Sequence, residues 1–319
     1  MGETDHKRRW SVPLVLLAAW PLAAQVNFTA RADRILVAIS GKPYTTFFLA
    51  ADGNKPYLYP LSTARGAVVT RHFPMEAFAG ETNDHPHQRG LFFAHGDING
   101  TNFWATEAGS GIANMGSMKL RGAPKATGGA KRGAIHAVFD GIDAHGRTIM
   151  TETRDIVFYT DARLRTIDYG VEIRAVERLV FADTKEGTFG IRLADSMTED
   201  RGGRMVNAEG GATEKNVWGK RAAWVDYAGP VDGRTVGVAI FDRPGNPRYP
   251  TYWHARAYGL FATNIFGVRD FTGDKGRDGS MTVERGGTIR FRYRVVIHEG
   301  DAGAAGIAGL WREWAGQGR

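Results

Sequence analysis

The chain has 319 residues, of which 43% are hydrophobic and 24% charged, and this composition is typical of a folded globular protein with a large apolar core. It contains no cysteine, which excludes disulfides, thiol catalysis, thiolate zinc sites and iron–sulfur clusters. The formal net charge of +7 comes from arginines scattered among acids, which predicts a basic surface and no nucleic-acid partner. P-loop, Gly-x-Gly-x-x-Gly, Gly-x-Ser-x-Gly and His-Glu-x-x-His motifs are all absent from the sequence.

The N-terminal segment has the composition of a secretory signal. A positive segment, His6–Arg9, precedes an apolar segment, Trp10–Leu22, which contains proline and is too short for a comfortable membrane span. Two alanines then offer small residues for cleavage. We therefore expect an exported protein, periplasmic or secreted, with a signal peptide at residues 1–24, one domain at residues 25–319 and no membrane span after leader removal. An uncleaved N-terminal anchor is the alternative.

After the leader, short segments with alternating apolar and polar residues predict β-strands. The first are Val26–Arg31 and Arg34–Ser40, with a tight turn between them, and Tyr44–Leu49 is the next. Lys55–Leu61 contains two prolines, which favours an irregular edge segment. Ala67–Phe73 is a further short strand before a histidine-rich stretch.

The middle of the chain predicts an antiparallel meander. Ser117–Arg121 is a strand among glycine-rich loops, and Ala134–Phe139, Thr148–Tyr159 and Arg163–Val176 are long strands whose polar face carries Arg and Glu. Hairpin turns are expected between the long strands. The later predicted strands are Phe189–Asp195, Arg204–Asn207, Arg221–Val225, Thr235–Asp242, Arg256–Phe261, Ser280–Glu284 and Thr288–His298.

One helix is predicted, close to the C-terminus. Asp301 can cap it, and Ile307, Leu310, Trp311 and Trp314 share one face, so its expected role is packing. The predicted fold class is all-β: a single large antiparallel β-sandwich with a short C-terminal helix. A two-domain β arrangement is the alternative.

The stretch Asn83–Glu107 contains the first cluster of candidate site residues. Its apolar run, Leu91–Ala94, separates two polar clusters and predicts a buried strand with a functional loop at each end. Because His85 precedes a proline, it favours extended backbone. In extended backbone, His85 and His87 would face the same side.

Three histidines in this stretch could in principle bind a metal ion. His85, His87 and His95 suit zinc or copper, but their spacing is no established metal signature and no fourth ligand is evident. Hydrogen bonding or proton transfer by these histidines is therefore favoured, and no metal and no cofactor are predicted. Structural histidines bonded to loop carbonyls are the alternative.

Asp97 and Trp104 are typical of sugar binding, since carboxylates accept bonds from hydroxyls and sugar rings stack on aromatic groups. A tight polar loop under a core tryptophan is the alternative. In the segment Asp183–Arg192, Glu186 is the best candidate for a carboxylate base. Arg192 lies on an otherwise apolar strand and needs an anionic or carbonyl partner. A solvated turn with a structural arginine is the alternative there.

The segment Pro250–Gly259 is dense in polar and aromatic residues. His254 and Arg256 are two positions apart and can share one face of a strand, and Trp253 lies between the histidine and the preceding tyrosine. The segment is interpreted as a second wall of a ligand pocket, with a packed loop as the alternative.

Several segments together resemble the bacterial PmoA-like family, whose automatic label is methane oxygenase. They are HPHQRGLFFAHGDINGTNFW, DTKEGTFGIR, VWGKRAAWVDYAG, YWHARAYGLFATNIFG and FRYRVVIHEG, and the resemblance runs from about Arg34 to Gly300. The usual HPHHRG of that family occurs here as His85–Gly90, with Gln88 in place of a histidine.

The resemblance implies a soluble β-sandwich similar to the galactose-mutarotase-like superfamily. Members of that superfamily act on or bind carbohydrates, using His and Glu on a concave face. A membrane methane monooxygenase subunit is not expected, because that protein spans the membrane several times and this chain has no spanning segment beyond its leader.

The sequence thus predicts an exported protein whose partner is a carbohydrate or glycoside and which acts as a hydrolase, lyase or epimerase. The candidate catalytic residues are His87 or His95 as the acid and Glu186 or His254 as the base. The candidate substrate-binding residues are Arg89, Asp97, Trp104, Arg192, Trp253 and Arg256. A non-catalytic carbohydrate-binding protein, a His-ligated metal protein and a purely structural exported module are the alternatives.

Overall fold

A computed structural model describes residues 1, 25–50, 55–105 and 112–317. The predicted signal peptide after its first residue lies outside the described residues, as does Glu107 of the histidine-rich stretch. Within the described ranges, no helix is both long enough and apolar enough to cross a membrane. Strands dominate, and helices are few and short.

The strands of the first half of the chain are β1 Val26–Ala30, β2 Arg34–Ile39, β3 Lys42–Phe48, β4 Tyr57–Tyr59, β5 Leu91–His95, β6 Ser117–Leu120, β7 Lys125–Thr127, β8 Arg132–Ile142 and β9 Thr148–Tyr159. The strands of the second half are β10 Arg165–Ala175, β11 Leu179–Phe181, β12 Gly187–Arg192, β13 Arg204–Asn207, β14 Trp224–Val231, β15 Arg234–Asp242, β16 Tyr252–Ala255, β17 Leu260–Asn264, β18 Met281–Val283 and β19 Thr288–Glu299. The α-helices are α1 Thr213–Val217, α2 Val268–Thr272 and α3 Ile307–Gly316.

These strands form two large antiparallel sheets. The first sheet has the order β1-β2-β3-β4-β5-β12-β17-β16, and the second has the order β13-β14-β15-β19-β10-β9-β8-β6, with β7 also paired to β8. Strands β11 and β18 form a separate two-stranded sheet. The prediction of a large antiparallel all-β fold is confirmed, and so is the β8–β9–β10 meander.

One apolar core fills the space between the two sheets, because alternate residues of each strand point toward it. The ring of Phe189 in the first sheet stacks on Tyr293 in the second, with centroids 4.6 Å apart and planes at 3°. Phe93 also packs against Phe291 across the core, with centroids 5.4 Å apart and planes tilted at 48°. A second apolar cluster lies on the opposite face of the first sheet, which we call the outer face, and includes Phe92.

Three strand predictions are wrong for identifiable reasons. Lys55–Leu61 contributes β4, which lies between β3 and β5 and is not an edge. Ala67–Phe73 makes only isolated bridges, at Val68 and Thr70. Arg256–Phe261 spans the turn between β16 and β17, where Arg256 N donates to Leu260 O and closes a hairpin.

The C-terminal helix is confirmed, but its predicted cap is wrong. Helix α3 begins after Gly306, whose φ of 67° lies in the left-handed region, and Asp301 instead caps the preceding turn by accepting a hydrogen bond from Ala304 N. Ile307 and Trp314 pack on the second sheet, against a small apolar cluster that includes Phe241.

Candidate functional site

The outer face of the first sheet brings together strands from three distant parts of the chain. Strand register places Phe92 of β5, Gly190 of β12, Ala262 of β17 and His254 of β16 side by side in one row. Their neighbours in sequence, such as Phe93 and Trp253, point into the core between the sheets. The row therefore defines a surface that is chemically distinct from the core side.

The centre of this row is made of the smallest side chains. A methyl group added to Gly190 would lie 2.9 Å from the Ala262 Cβ, closer than real side chains approach, so a larger residue does not fit there. Phe92 and His254 stand on either side. These packed side chains form the floor of the outer face, with Phe92, the aromatic wall, at one end and His254 at the other; Phe92 and Ala262 are fully buried and His254 is 2% exposed.

His254 is buried and held in one tautomer. Its Nδ1 lies 2.7 Å from the carbonyl oxygen of Lys185. Because a carbonyl can only accept, Nδ1 carries the proton and Nε2 keeps its lone pair. Burial lowers the pKa of His254 to about 4, so the ring is neutral at physiological pH.

Glu186 lies close enough to His254 to interact with it electrostatically. Its segment is fixed by two contacts: Asn264 Nδ2 donates to Thr184 O at 2.9 Å, and Gly96 N donates to Glu186 O at 2.7 Å. A Cβ on Gly96 would lie 2.8 Å from Glu186 Cβ, which explains glycine at that position. The Glu186 carboxylate is about one-third exposed and pairs with Lys185 at 2.9 Å.

Tyr258 connects this carboxylate to the histidine-rich loop. Its ring stacks on His85 with centroids 5.2 Å apart, and the guanidinium of Arg192 lies 4.8 Å from its centroid. Glu186 acts on Tyr258 electrostatically as well. Burial raises the pKa of Tyr258, so the hydroxyl stays protonated and available as a hydrogen-bond donor.

Two buried arginines hold the histidine-rich loop in place. Arg71 and Arg192 both bind Asp84 Oδ1, at 2.5 Å and 3.0 Å, and Arg192 also donates to Gln88 Oε1 at 2.6 Å. Burial raises the pKa of Asp84, but the Arg192 charge and the hydrogen bonds from Arg71 and His85 outweigh it and hold that pKa at about 2. The predicted need of Arg192 for an anionic or carbonyl partner is thereby met.

His87 lies between this loop and the aromatic wall. Its ring centroid is 5.6 Å from that of His85 and 6.3 Å from that of Trp104, which packs edge-on against Phe92 at 5.1 Å. Burial and the nearby positive charges, Lys55 foremost, lower the pKa of His87 to about 3. The imidazole is therefore neutral at physiological pH. Its side chain is half-buried. His85 itself has a φ of 44°, so the predicted extended backbone there is wrong.

Two predicted substrate-binding arginines border the same face. Arg256 pairs with Glu214 of α1 at 2.8 Å, and its guanidinium lies 5.5 Å from the centroid of Tyr258. Arg89 donates to Pro86 O at 3.3 Å and lies 5.9 Å from the ring of Tyr57, on the aromatic side. These contacts hold both arginines beside the aromatic residues of the outer face.

Three other predicted site residues lie elsewhere. His95 points into the core, between Phe181 and Phe266, and its Nε2 lies 3.1 Å from Ala182 O. Trp253 is fully buried in the core. Asp97 accepts from Gly100 N at 2.8 Å and closes a tight loop. The structure does not bring these three together with His254.

The three-histidine metal interpretation requires His95 to join His85 and His87. The core position of His95 prevents this, because the strand that carries it separates its ring from the outer face. Among residues 25–50, 55–105 and 112–317, no group of three His, Asp or Glu side chains could hold a metal ion.

We name the surface formed by His85, His87, Glu186, His254 and Tyr258 the outer-face site. Tyr258 lies in the segment Pro250–Gly259, which is predicted as a pocket wall, but no role for it is predicted; the spacing Arg256-x-Tyr258 is the available signal. Asp84 and Arg71, which position the loop, were not identified, since their partners lie far away in sequence.

Residues 34–312 match the family described as "Family of unknown function (DUF6807)", and the chain belongs to this family. No curated protein matches the sequence.

Solved structures of low sequence identity also match. A galactose mutarotase-like protein from Clostridium acetobutylicum is 9% identical, with a TM-score of 0.42 over 87% of this chain and 99% of that one. One from Lactobacillus casei is 8% identical, with a TM-score of 0.41 over 86% and 100%. An α-galactosidase from Lactobacillus brevis is 9% identical, with a TM-score of 0.41 over 87% of this chain and 39% of its own. The chain thus spans about two fifths of that enzyme.

Proposed function

We propose that this protein is an exported carbohydrate-active enzyme whose substrate binds in the outer-face site. The observation that supports it most strongly is the position of a neutral His254, whose Nε2 carries no proton, beside the Glu186 carboxylate. Acid–base chemistry on a sugar needs a proton acceptor and a proton donor. The resemblance to the galactose-mutarotase-like superfamily, whose members act on or bind carbohydrates, agrees with this proposal.

The residues of the site suggest distinct roles. Glu186 or His254 acts as the base. The protonated hydroxyl of Tyr258 can donate to a substrate oxygen. Neutral His87 can donate one hydrogen bond through its protonated nitrogen and accept one at the other nitrogen. Arg192 is occupied by Asp84 and Gln88, so its role is to position the loop that carries His87.

The test is turnover of a panel of glycosides and oligosaccharides, followed by mass spectrometry of the products. We expect Glu186→Gln and His254→Gln each to lower kcat/KM by roughly 10²–10⁴, the usual contribution of general acid–base catalysis. His136→Gln is the matched control, because that half-exposed ring pairs with Asp155 on the second sheet. A loss of the same size in His136→Gln, or none in the other two, contradicts the proposal.

A second candidate function is carbohydrate binding without catalysis. The low pKa values of His87 and His254, about 3 and about 4, favour it, because acid–base catalysts usually have pKa values near the working pH. In that case His87→Ala lowers glycan affinity, and neither the wild type nor the variant turns over any glycan. Measured turnover by the wild type would exclude it.

A further inference from the structure

Phe78 is a large apolar side chain held exposed on the surface. It is 57% exposed, more than the other described aromatic residues, which are mostly buried. Its ring stacks on His72 with centroids 4.2 Å apart and planes at 8°. One ring face is therefore covered by a fixed partner, and the exposed remainder of the ring is available to a ligand.

His72 is itself fixed, so the aromatic plate is rigid. Its Nδ1 lies 2.8 Å from Glu81 Oε1, and Glu81 Oε2 accepts hydrogen bonds from His72 N at 2.8 Å and Phe73 N at 3.2 Å. The Glu81 side chain is 7% exposed. The exposed ring is thus held in one orientation and presents a fixed apolar surface that a ligand can contact.

Phe78 borders a cavity of about 330 Å³ that lies apart from the outer-face site. This volume is at the lower end of the range for small-molecule sites, roughly 300–1,000 Å³, and suits one ring-sized ligand. Asp195, Ser196 and Arg201 also line it. The cavity thus combines an apolar ring with hydrogen-bond donors and hydrogen-bond acceptors.

Asp195 supplies the second, independent observation. The residue is 3% exposed, and its Oδ2 accepts a hydrogen bond from Thr82 N at 2.6 Å. Its Oδ1 is buried and has no hydrogen-bond partner within the described part of the chain. Leaving a buried carboxylate oxygen unpaired is costly, and a ligand hydroxyl at the cavity would remove that cost.

We infer that the cavity between Phe78 and Asp195 is a second carbohydrate-binding site, which takes one sugar ring. Asp195 Oδ1 accepts a hydrogen bond from a hydroxyl, Arg201 donates to hydroxyl oxygens, and Ser196 can do either. The C–H face of the ring packs on Phe78. A hydroxylated ring matches this set because each hydroxyl both donates and accepts, whereas a purely cationic ligand would face Arg201.

A chain of hydrogen bonds through Thr82 and Arg192 links this second site to the outer-face site. Thr82 binds Asp195 through its N–H, and its hydroxyl lies 3.4 Å from Arg192 Nη2. Arg192 in turn holds the loop that carries His87. The inference goes beyond the proposed function, because it requires sugar binding at Phe78 whether or not the outer-face site catalyses a reaction.

The test measures binding of the methyl α- and β-glycosides of glucose, galactose and mannose by saturation-transfer NMR, with Kd from titration. We expect at least one of these sugars to bind the wild type. Phe78→Ala should weaken that binding at least about tenfold, and Asp195→Asn should weaken it as well. The asparagine keeps an acceptor for Thr82 N but places an amide N–H₂ where Oδ1 was.

The matched control is Val176→Ala, which truncates another exposed apolar side chain, 42% exposed. It should leave Kd unchanged, and His87→Ala should leave binding at Phe78 intact. Absence of binding by every glycoside in the panel, an unchanged Kd in Phe78→Ala, or complete loss of binding in His87→Ala overturns the inference. If sugar binding depends on Phe78 but the wild type turns over no glycoside, only the proposed enzymatic function is contradicted.

Discussion

The imidazole of His95 is enclosed by aromatic rings and has one carbonyl partner, Ala182 O. Burial lowers its pKa from the ordinary value of 6.5 to about 4. The folded protein therefore binds this proton less readily than the unfolded chain does. Above pH 6.5 the titration of His95 therefore does not lower the free energy of unfolding. As the pH falls from about 6.5 toward about 4, the unfolded chain takes up the proton first and the free energy of unfolding decreases.

We predict that His95→Gln removes this pH dependence, since glutamine can still donate to Ala182 O and does not titrate. The stability advantage of the wild type over His95→Gln should shrink as the pH falls from 7.5 to 4.5 (roughly the window of the shifted pKa). Thermal unfolding at a series of pH values measures it. Ile191→Val, a non-titrating core change expected to cost roughly 1 kcal/mol, should differ from the wild type by a constant amount.

At this scale, the sequence could identify which residue types belong to a site but not which side of a strand they occupy. Trp253 and His254 are adjacent on β16, so the two-residue period sends one to the core and the other to the outer face. The same period sends His95 inward with Phe93. Only the position of the second sheet decides which side is buried, and that is not a local property.

Among the elements, the loop at residues 82–88 depends on one carboxylate. Asp84 pairs with Arg71 and Arg192, whose side chains are 0% and 1% exposed. We predict that Asp84→Ala costs on the order of 2–3 kcal/mol of unfolding free energy, because it leaves two buried cations without their anion. Urea denaturation measures this loss.

Asp33→Ala provides the comparison, because Asp33 pairs with Arg34 at 2.6 Å on the surface, with both side chains about two-fifths exposed. Such pairs contribute roughly 0–1 kcal/mol. Equal losses in the two variants would show that the buried arginines do not need Asp84.

Element prediction succeeded where the strand was long and half-buried. Thr148–Tyr159 has the predicted bounds, and its burial alternates from Met150 to Phe158 although the ion pair Glu152–Arg154 occupies two of the inward positions. It failed at the β16–β17 hairpin, where the turn at residues 256–259 contains an arginine, an alanine and a tyrosine, and only its last residue, Gly259, is a turn former. The edge prediction for Lys55–Leu61 rests on its two prolines, and the sequence does not show that β4 pairs with β5, which lies about thirty residues further on.

At the scale of the whole molecule, one buried arginine joins the two sheets. Arg154 of β9 donates to Pro56 O at 2.8 Å and to Phe93 O at 3.0 Å, both on the first-sheet side, and to Glu152 at 2.5 Å. We predict that Arg154→Met costs about 3–5 kcal/mol, because it leaves Glu152 buried and unpaired.

The double variant Glu152→Gln/Arg154→Met should recover part of this loss, since the uncompensated charge is then gone. The surface pair Arg290–Glu172 lies on the same sheet at 2.6 Å, and Arg290→Met should cost less than about 1 kcal/mol. Chemical denaturation of the wild type, Arg154→Met, the double variant and Arg290→Met measures these differences in unfolding free energy. A double variant no more stable than Arg154→Met would show that the two lost carbonyl contacts, not the charge, dominate.

The pairing of β5 with β12 has a consequence for how the outer-face site forms during folding. His95 and Gly187 are register partners about ninety residues apart in sequence, and β12 must then pair with β17, some seventy residues further on. Closing such long loops costs conformational entropy before the stabilising contacts between the strands can form. Proteins dominated by long-range pairings therefore fold slowly. Because Glu186 and His254 meet only after both closures, the outer-face site should form in the final kinetic phase of refolding, and a fragment must span at least residues 85–258 to contain it.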